Sequence, residues 1–93
     1  MTAPDHFTGE LCRHLRADGF AARHEYRPDR TYAVTLTGER GHVVTITHDG
    51  TTFAIRTIGV TGRQLGKTRR ANTMAEAAHD ASRLARAIRV EHI

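Results

Sequence analysis

Four cations fall in one ten-residue stretch of this chain, Arg63-Gln-Leu-Gly-Lys67-Thr-Arg69-Arg70-Ala-Asn, and no acid stands among them. Guanidinium and ammonium groups at this density attract polyanions, because phosphate oxygens accept their charge-assisted hydrogen bonds and shed condensed counterions. Elsewhere the charges cancel. Met1 to Arg30 holds five residues of each sign; Arg40 and Arg56 offset Glu39 and Asp49; Arg83, Arg86 and Arg89 offset Glu76, Asp80 and Glu91. The whole net charge of +4 therefore belongs to residues 63–72. Thirteen of the 14 basic residues are arginine. A coding preference accounts for arginine in place of lysine, but not for the loss of acids from one segment. Arg63, Lys67, Arg69 and Arg70 are accordingly the candidates for phosphate contacts on a basic loop.

Other chemistries find less support. His42 and His48 bracket one strand-like segment, and His6 and His14 lie two helical turns apart with no carboxylate or thiolate completing a ligand set. No metal and no cofactor is expected. Nucleophile elbows, phosphate-binding glycine fingerprints and zinc-protease motifs do not occur. Cys12, the only cysteine, sits beside an apolar stripe and reads as packing; it excludes an internal disulfide and fits a reducing compartment. Ser82 falls inside a helical segment rather than on a strained turn. No catalytic residue is assigned, and the expectation is a protein that is not an enzyme. RNA cleavage by His42 or His48 is the weakest reading.

The elements that must position these cations follow from periodicity. Phe7, Leu11 and Leu15 recur at helical spacing with Cys12 beside them, which predicts a helix over about residues 5–18. Gly19 suits its left-handed cap, with Phe20 folding back on the last turn. Residues 21–30 are ambiguous: His24-Glu-Tyr26 extends as a short strand or joins the turn at Arg27-Pro28-Asp29-Arg30. Three alternating segments come next, over about 31–37, 42–48 and 51–58. Tyr32, Val34, Leu36, Val44, Ile46, Phe53 and Ile55 share one face; threonines and Arg56 take the other. The short links, including Asp49-Gly50 as a two-residue hairpin signal, make these an antiparallel meander. Thr73-Met-Ala-Glu76 is a capping box opening a helix over about 74–90, with Met74, Ala77, Ala78, Ala81, Leu84, Ala85 and Ile88 on its apolar side.

Two apolar helix stripes are the material available to cover one apolar sheet face. The expected fold is therefore α+β, a single-domain two-layer sandwich of order α-β-β-β-α. Its three-stranded antiparallel sheet is covered on one face by two helices. No run approaches the ~18 apolar residues of a membrane span. With no leader-like segment at the amino terminus, a soluble cytoplasmic protein is expected. Tyr32 and Phe53 fall on the covered face, which removes them as stacking platforms for single strands.

This order, with cations before the second helix, resembles the double-stranded RNA-binding domain over roughly Asp5 to Val90. In that family the first helix, a Gly-Pro-x-His loop in the first hairpin and lysines at the second helix touch the duplex. The resemblance carries Gly41-His42 onto the second region and Lys67, Arg69 and Arg70 near the third. It departs at the Lys-Lys-x-Ala-Lys signature, where this chain has Thr73-Met-Ala-Glu76. Arm-type DNA-binding domains of tyrosine recombinases share the layout and read duplex DNA with the sheet face. Thr73-Met-Ala-Glu-Ala77 is also similar to the helix start of HicB-type antitoxins, and Leu11 to Phe20 to the opening of HicA-type toxins, without the toxins' Gly-Ser-His motif.

The leading expectation is a non-catalytic protein binding duplex nucleic acid, DNA or RNA. Arg63, Lys67, Arg69 and Arg70 contact the backbone, Arg40 and His42 enter a groove from the first hairpin, and Arg56 adds polar contacts. The alternative is a protein-interaction module, such as an antitoxin, inhibitor or phage-type regulator, docking one protein on its open sheet edge or threonine face. Oligomeric state is not encoded in any feature of the sequence read by itself.

Overall fold

The computed structural model describes residues 6–91, with side chains through residue 86. Helix α1 (His6–Ala17) buries Thr8, Leu11, Cys12 and Leu15 on one side. It ends in a Schellman cap. The Phe20 N–H donates to the Leu15 carbonyl and the Gly19 N–H to that of Arg16, both at 3.0 Å, while Gly19 takes φ 92°. That backbone conformation strains any residue with a side chain, which is why glycine stands there.

Five strands follow, not three: β1 (Ala22–Tyr26), β2 (Tyr32–Thr37), β3 (Val43–His48), β4 (Phe53–Ile58) and β5 (Gln64–Ala71). They form one antiparallel sheet in the order β1-β2-β3-β4-β5. The three-stranded expectation is thus corrected at both edges. The ambiguous segment pairs Ala22 with Leu36 and Tyr26 with Tyr32, and the segment read as a basic loop pairs Ala71 with Phe53. Edge strands escape a reading by periodicity, because each buries a single residue, Ala22 at the start of β1 and Ala71 at the end of β5. The central strands lie where alternation places them.

Both helices cover one sheet face. Leu11 and Leu15 of α1 and Ala77, Ala81 and Ala85 of α2 (Met74–Glu91) join Val34, Leu36, Val44, Ile46, Phe53 and Ile55 in a single core. Burying each of the larger aliphatic or aromatic side chains contributes about 1.5–3 kcal/mol relative to exposure. The alanines of α2 let the helix axis lie close to the sheet. Ile88, assigned to the same stripe, lies outside the described side chains. At the start of α2 the Thr73 hydroxyl accepts the Glu76 N–H at 3.1 Å. The Glu76 carboxylate reaches one residue past the cap, accepting the Asn72 N–H at 3.2 Å.

Pairing along the ladder sorts the opposite face into transverse rows. Arg23, Thr35, Thr45 and Arg56 make one, and Thr47, Ala54 and Arg70 another. Tyr26 and Tyr32, a cross-strand pair, lie with His24 on the helix side.

The β3–β4 link turns about Gly50-Thr51, one residue later than the Asp49-Gly50 signal suggests. Asp49 instead serves as the side-chain cap, accepting the N–H groups of Thr51 at 2.9 Å and Thr52 at 2.8 Å. His48 closes the other side of this turn. Its Nδ1 accepts the Gly50 N–H at 3.0 Å, and its ring stacks on Phe7 with centroids 4.1 Å apart and meets Phe53 edge-on. Burial against these rings holds the imidazole pKa below its ordinary value, opposed by the Asp49 carboxylate. The unfolded chain therefore binds the proton more readily than the folded one. The stabilisation is complete above the ordinary value near 6.5 and is lost as pH falls through the lowered folded value. Thermal melts followed by circular dichroism should show the midpoint falling from pH 7 to pH 5, and His48→Asn should reduce that fall.

Candidate nucleic-acid interface

Strand β5 carries Lys67, Arg69 and Arg70, with Arg63 in the turn that precedes it, so the cations occupy an edge strand rather than a loop. At the rise of roughly 3.3 Å per residue, the steps from Arg63 to Arg70 spread the charge over at most about 23 Å. The ladder with β4 is broken once. Ile55 faces Arg69 but Thr57 faces Leu65, which leaves Gly66, Lys67 and Thr68 opposite Arg56 alone. Gly66 takes φ 70° inside this bulge, and the Gln64 side chain clamps it by donating to the Thr68 hydroxyl at 3.1 Å. A bulge of this kind re-aims side chains at a sheet edge.

Alternation then divides the two arginines that follow. Arg69 pairs with Ile55 and lies on the helix side; Arg70 pairs with Ala54 and lies on the open side. Arg56, opposite Thr45, shares the open side with Arg70 and Arg23. Arg23 is not among the contacts expected from the sequence, and it joins them only once β1 is seen to be a strand.

Among the described residues two of these open-side arginines have an acid within ion-pair range, Arg23 with Glu25 of its own strand at 3.5 Å and Arg70 with Asp49. Arg70 Nη1 lies 3.4 Å from an Asp49 carboxylate oxygen, with the side chains 59% and 57% exposed, and 3.4 Å from the Thr52 hydroxyl. Asp49 is held well ionised first by the amides of Thr52 and Thr51 and only then by Arg70. Such an exposed pair is screened by solvent and contributes little. Among the described residues no carboxylate lies within ion-pair reach of Arg63, Lys67, Arg69, Arg40 or Arg56.

The β2–β3 and β4–β5 turns are built alike and sit side by side. Gly38 N–H donates to the His42 carbonyl and Gly59 N–H to that of Arg63, at 2.7 and 2.8 Å. Gly41 and Gly62 take φ 83° and 88° at matching positions. A Cβ on Gly41 would lie 3.4 Å from a Val60 methyl, so Arg40 and Arg63 project from one end of the sheet with Val60, 76% exposed, between the turns.

His42 is elsewhere. It is 2% exposed, and its Nε2 bonds the Leu84 carbonyl of α2 at 3.0 Å. Its ring fills the space where a Gly38 side chain would stand, and Nδ1 is buried without a hydrogen-bond partner. The residue expected to enter a groove is a peg joining the β2–β3 hairpin to the second helix, which leaves Arg40 as that hairpin's surface cation. This burial is invisible in the sequence because it depends on a glycine four residues earlier.

Comparison with family models, curated proteins and solved structures returns no match. Among the described residues no three His, Cys, Asp or Glu side chains converge as a metal site, and no helix is long and apolar enough to cross a membrane.

Replacing the buried peg should be felt in stability and not at the surface. His42→Ala should lower unfolding free energy by about 1–3 kcal/mol, from the broken bond and the space left behind, while Arg40→Ala should change it by less than about 0.5 kcal/mol. Urea denaturation of the two variants checks this.

Proposed function

We propose that the protein binds duplex nucleic acid, without catalysing a reaction, along the cationic β5 edge and the adjoining end of the sheet. The observation that carries this reading is the exposure of Arg63, Lys67 and Arg69, which no described carboxylate neutralises. Charge confined to one edge concentrates the electrostatic potential there, and a polyanion gains more from it than from the same charge dispersed. Arg69 and Arg70 reach to opposite sides of one strand, so the edge meets a phosphate backbone by straddling it.

Two further features favour a duplex over a single strand. The open sheet face presents threonines, Arg23, Arg56 and Arg70 and lacks aromatic rings, so bases have nothing there on which to stack. Arg40 and Arg63 extend from a paired set of tight turns, narrow enough to follow a groove while the edge tracks the backbone. DNA and RNA present the same phosphates, and both belong to the proposal. His42, being buried, has no part in it.

Fluorescence anisotropy with duplex DNA, duplex RNA and single strands at several salt concentrations tests the reading. Duplex affinity should fall with salt with a log-log slope of roughly 0.9 per phosphate contacted on B-DNA. Arg63→Ala, Lys67→Ala and Arg69→Ala should each weaken binding and reduce that slope by about one for each phosphate no longer engaged. A flat salt response, or full affinity in the triple variant, would replace this proposal with a protein partner docked on a sheet edge.

A further inference from the structure

The sheet has two edges, and they are defended unequally. Along β5 and its entry turn stand four cations and a bulge at Gly66 to Thr68, both of which oppose the addition of another strand. The β1 edge carries no bulge, and among the described residues its one guard is Arg16 of α1, whose Nε donates to the outward Ala22 carbonyl at 2.9 Å. The five residues of β1 pair with β2 in unbroken register from Ala22 to Tyr26, and its charged side chains are one of each sign, Arg23 and Glu25.

Those two charges are placed to complement a second copy of themselves. We propose that β1 is a homodimer interface, with two chains pairing antiparallel through Ala22–Tyr26 about a two-fold axis at His24. A two-fold axis normal to the sheet keeps the helices of both copies on one side, so residues that meet must come from the same face. Three registers satisfy this within the strand. Centring on Arg23 sets arginine against arginine, and centring on Glu25 sets glutamate against glutamate. Centring on His24 sets Arg23 of each copy against Glu25 of the other, twice, and pairs every residue of the strand.

The side chains fit that register. Arg23 and Glu25 already approach each other within one chain at 3.5 Å, with 78% and 43% of their side chains exposed, and Glu25 also accepts the Thr35 hydroxyl of β2 at 3.4 Å, a contact it would exchange for Arg23 of the other copy. On the helix side, Tyr26, 60% exposed, would lie opposite Ala22 of the other copy, which its own core already covers. His24 would meet its own equivalent, and its ring is turned inward by the bond between its Nε2 and the Thr8 hydroxyl at 2.8 Å. Arg16 donates to the Ala22 carbonyl at 2.9 Å, so the Tyr26 N–H of the other copy takes that oxygen's second lone pair. The product is a continuous ten-stranded sheet with a β5 edge at each end. The inference shares Arg23 with the open face of the nucleic-acid reading but takes no residue of the β5 edge that carries it.

Sedimentation velocity across a concentration series tests it with the whole chain. The wild type should move from 10.3 kDa toward twice that mass as concentration rises. Arg23→Glu and Glu25→Arg each set like charges opposite one another at two places and should raise the dissociation constant about tenfold or more. The double variant R23E/E25R restores opposite charges and should recover most of the wild-type affinity. Circular dichroism of all three variants confirms that they fold. A wild type that stays monomeric at its highest soluble concentration would overturn the proposal. So would a dimer indifferent to the single reversals, or folded variants in which the double change fails to recover association. Arg63→Ala, Lys67→Ala and Arg69→Ala should leave the dimer intact, which separates this result from the outcome of the nucleic-acid experiment.

Discussion

The pairing of β5 with β4 governs what the cationic segment can do. Free in a loop, four cations would sample many directions and lose conformational entropy on gripping a ligand. Hydrogen-bonded to β4 on either side of the bulge at Gly66 to Thr68, the segment stands along one rim, and the alternation of the strand assigns Arg69 and Arg70 a side each. That ladder depends in turn on the core. Phe53 and Ile55, the residues opposite Ala71 and Arg69, are buried under the helices, so the strand that templates the cationic edge cannot shift without exposing them.

Charge and packing are segregated in this small domain. The helix-facing side of the sheet is aliphatic and aromatic at its centre, and the buried polar residues beside it, His42 and Thr8, are engaged with α2 and β1. The open side is small and polar at its centre, with arginines toward the edges. Ala33, Ala54 and Thr45 are buried there although no helix covers them, because longer neighbours such as Glu25, Arg56 and Arg70 stand around them on adjacent strands. The result is a face that water wets at its rim more than at its middle.

The readable parts of the sequence are those in which one residue type has one physical explanation. Thr73 and Glu76 cap α2, Gly19 takes the left-handed conformation after α1, and Tyr32 to Leu36, Val43 to Ile46 and Phe53 to Ile55 alternate because one side of each strand must be dry. The excess of positive charge in residues 63–72 is equally plain, since counting charge requires no conformation. What stays hidden is set by relations between distant segments. Neither Arg23-His24-Glu25 nor Lys67-Thr68-Arg69 shows an apolar period, because β1 and β5 each bury only a terminal alanine, and their strand identity comes from their neighbours. The separation of Arg69 from Arg70 and the burial of His42 behind Gly38 belong to the same class.

Every strand in this sheet meets the one just before it in the chain across a link of four to five residues, and no crossover interrupts the meander. Loop closure for each hairpin is therefore entropically cheap, and most pairings form between segments already near in sequence. The costly closures are those that bring the two terminal helices together over the finished sheet. Assembly can thus proceed by successive zippering, with the docking of the helices, rather than strand registry, as the slow search on the way to the native state.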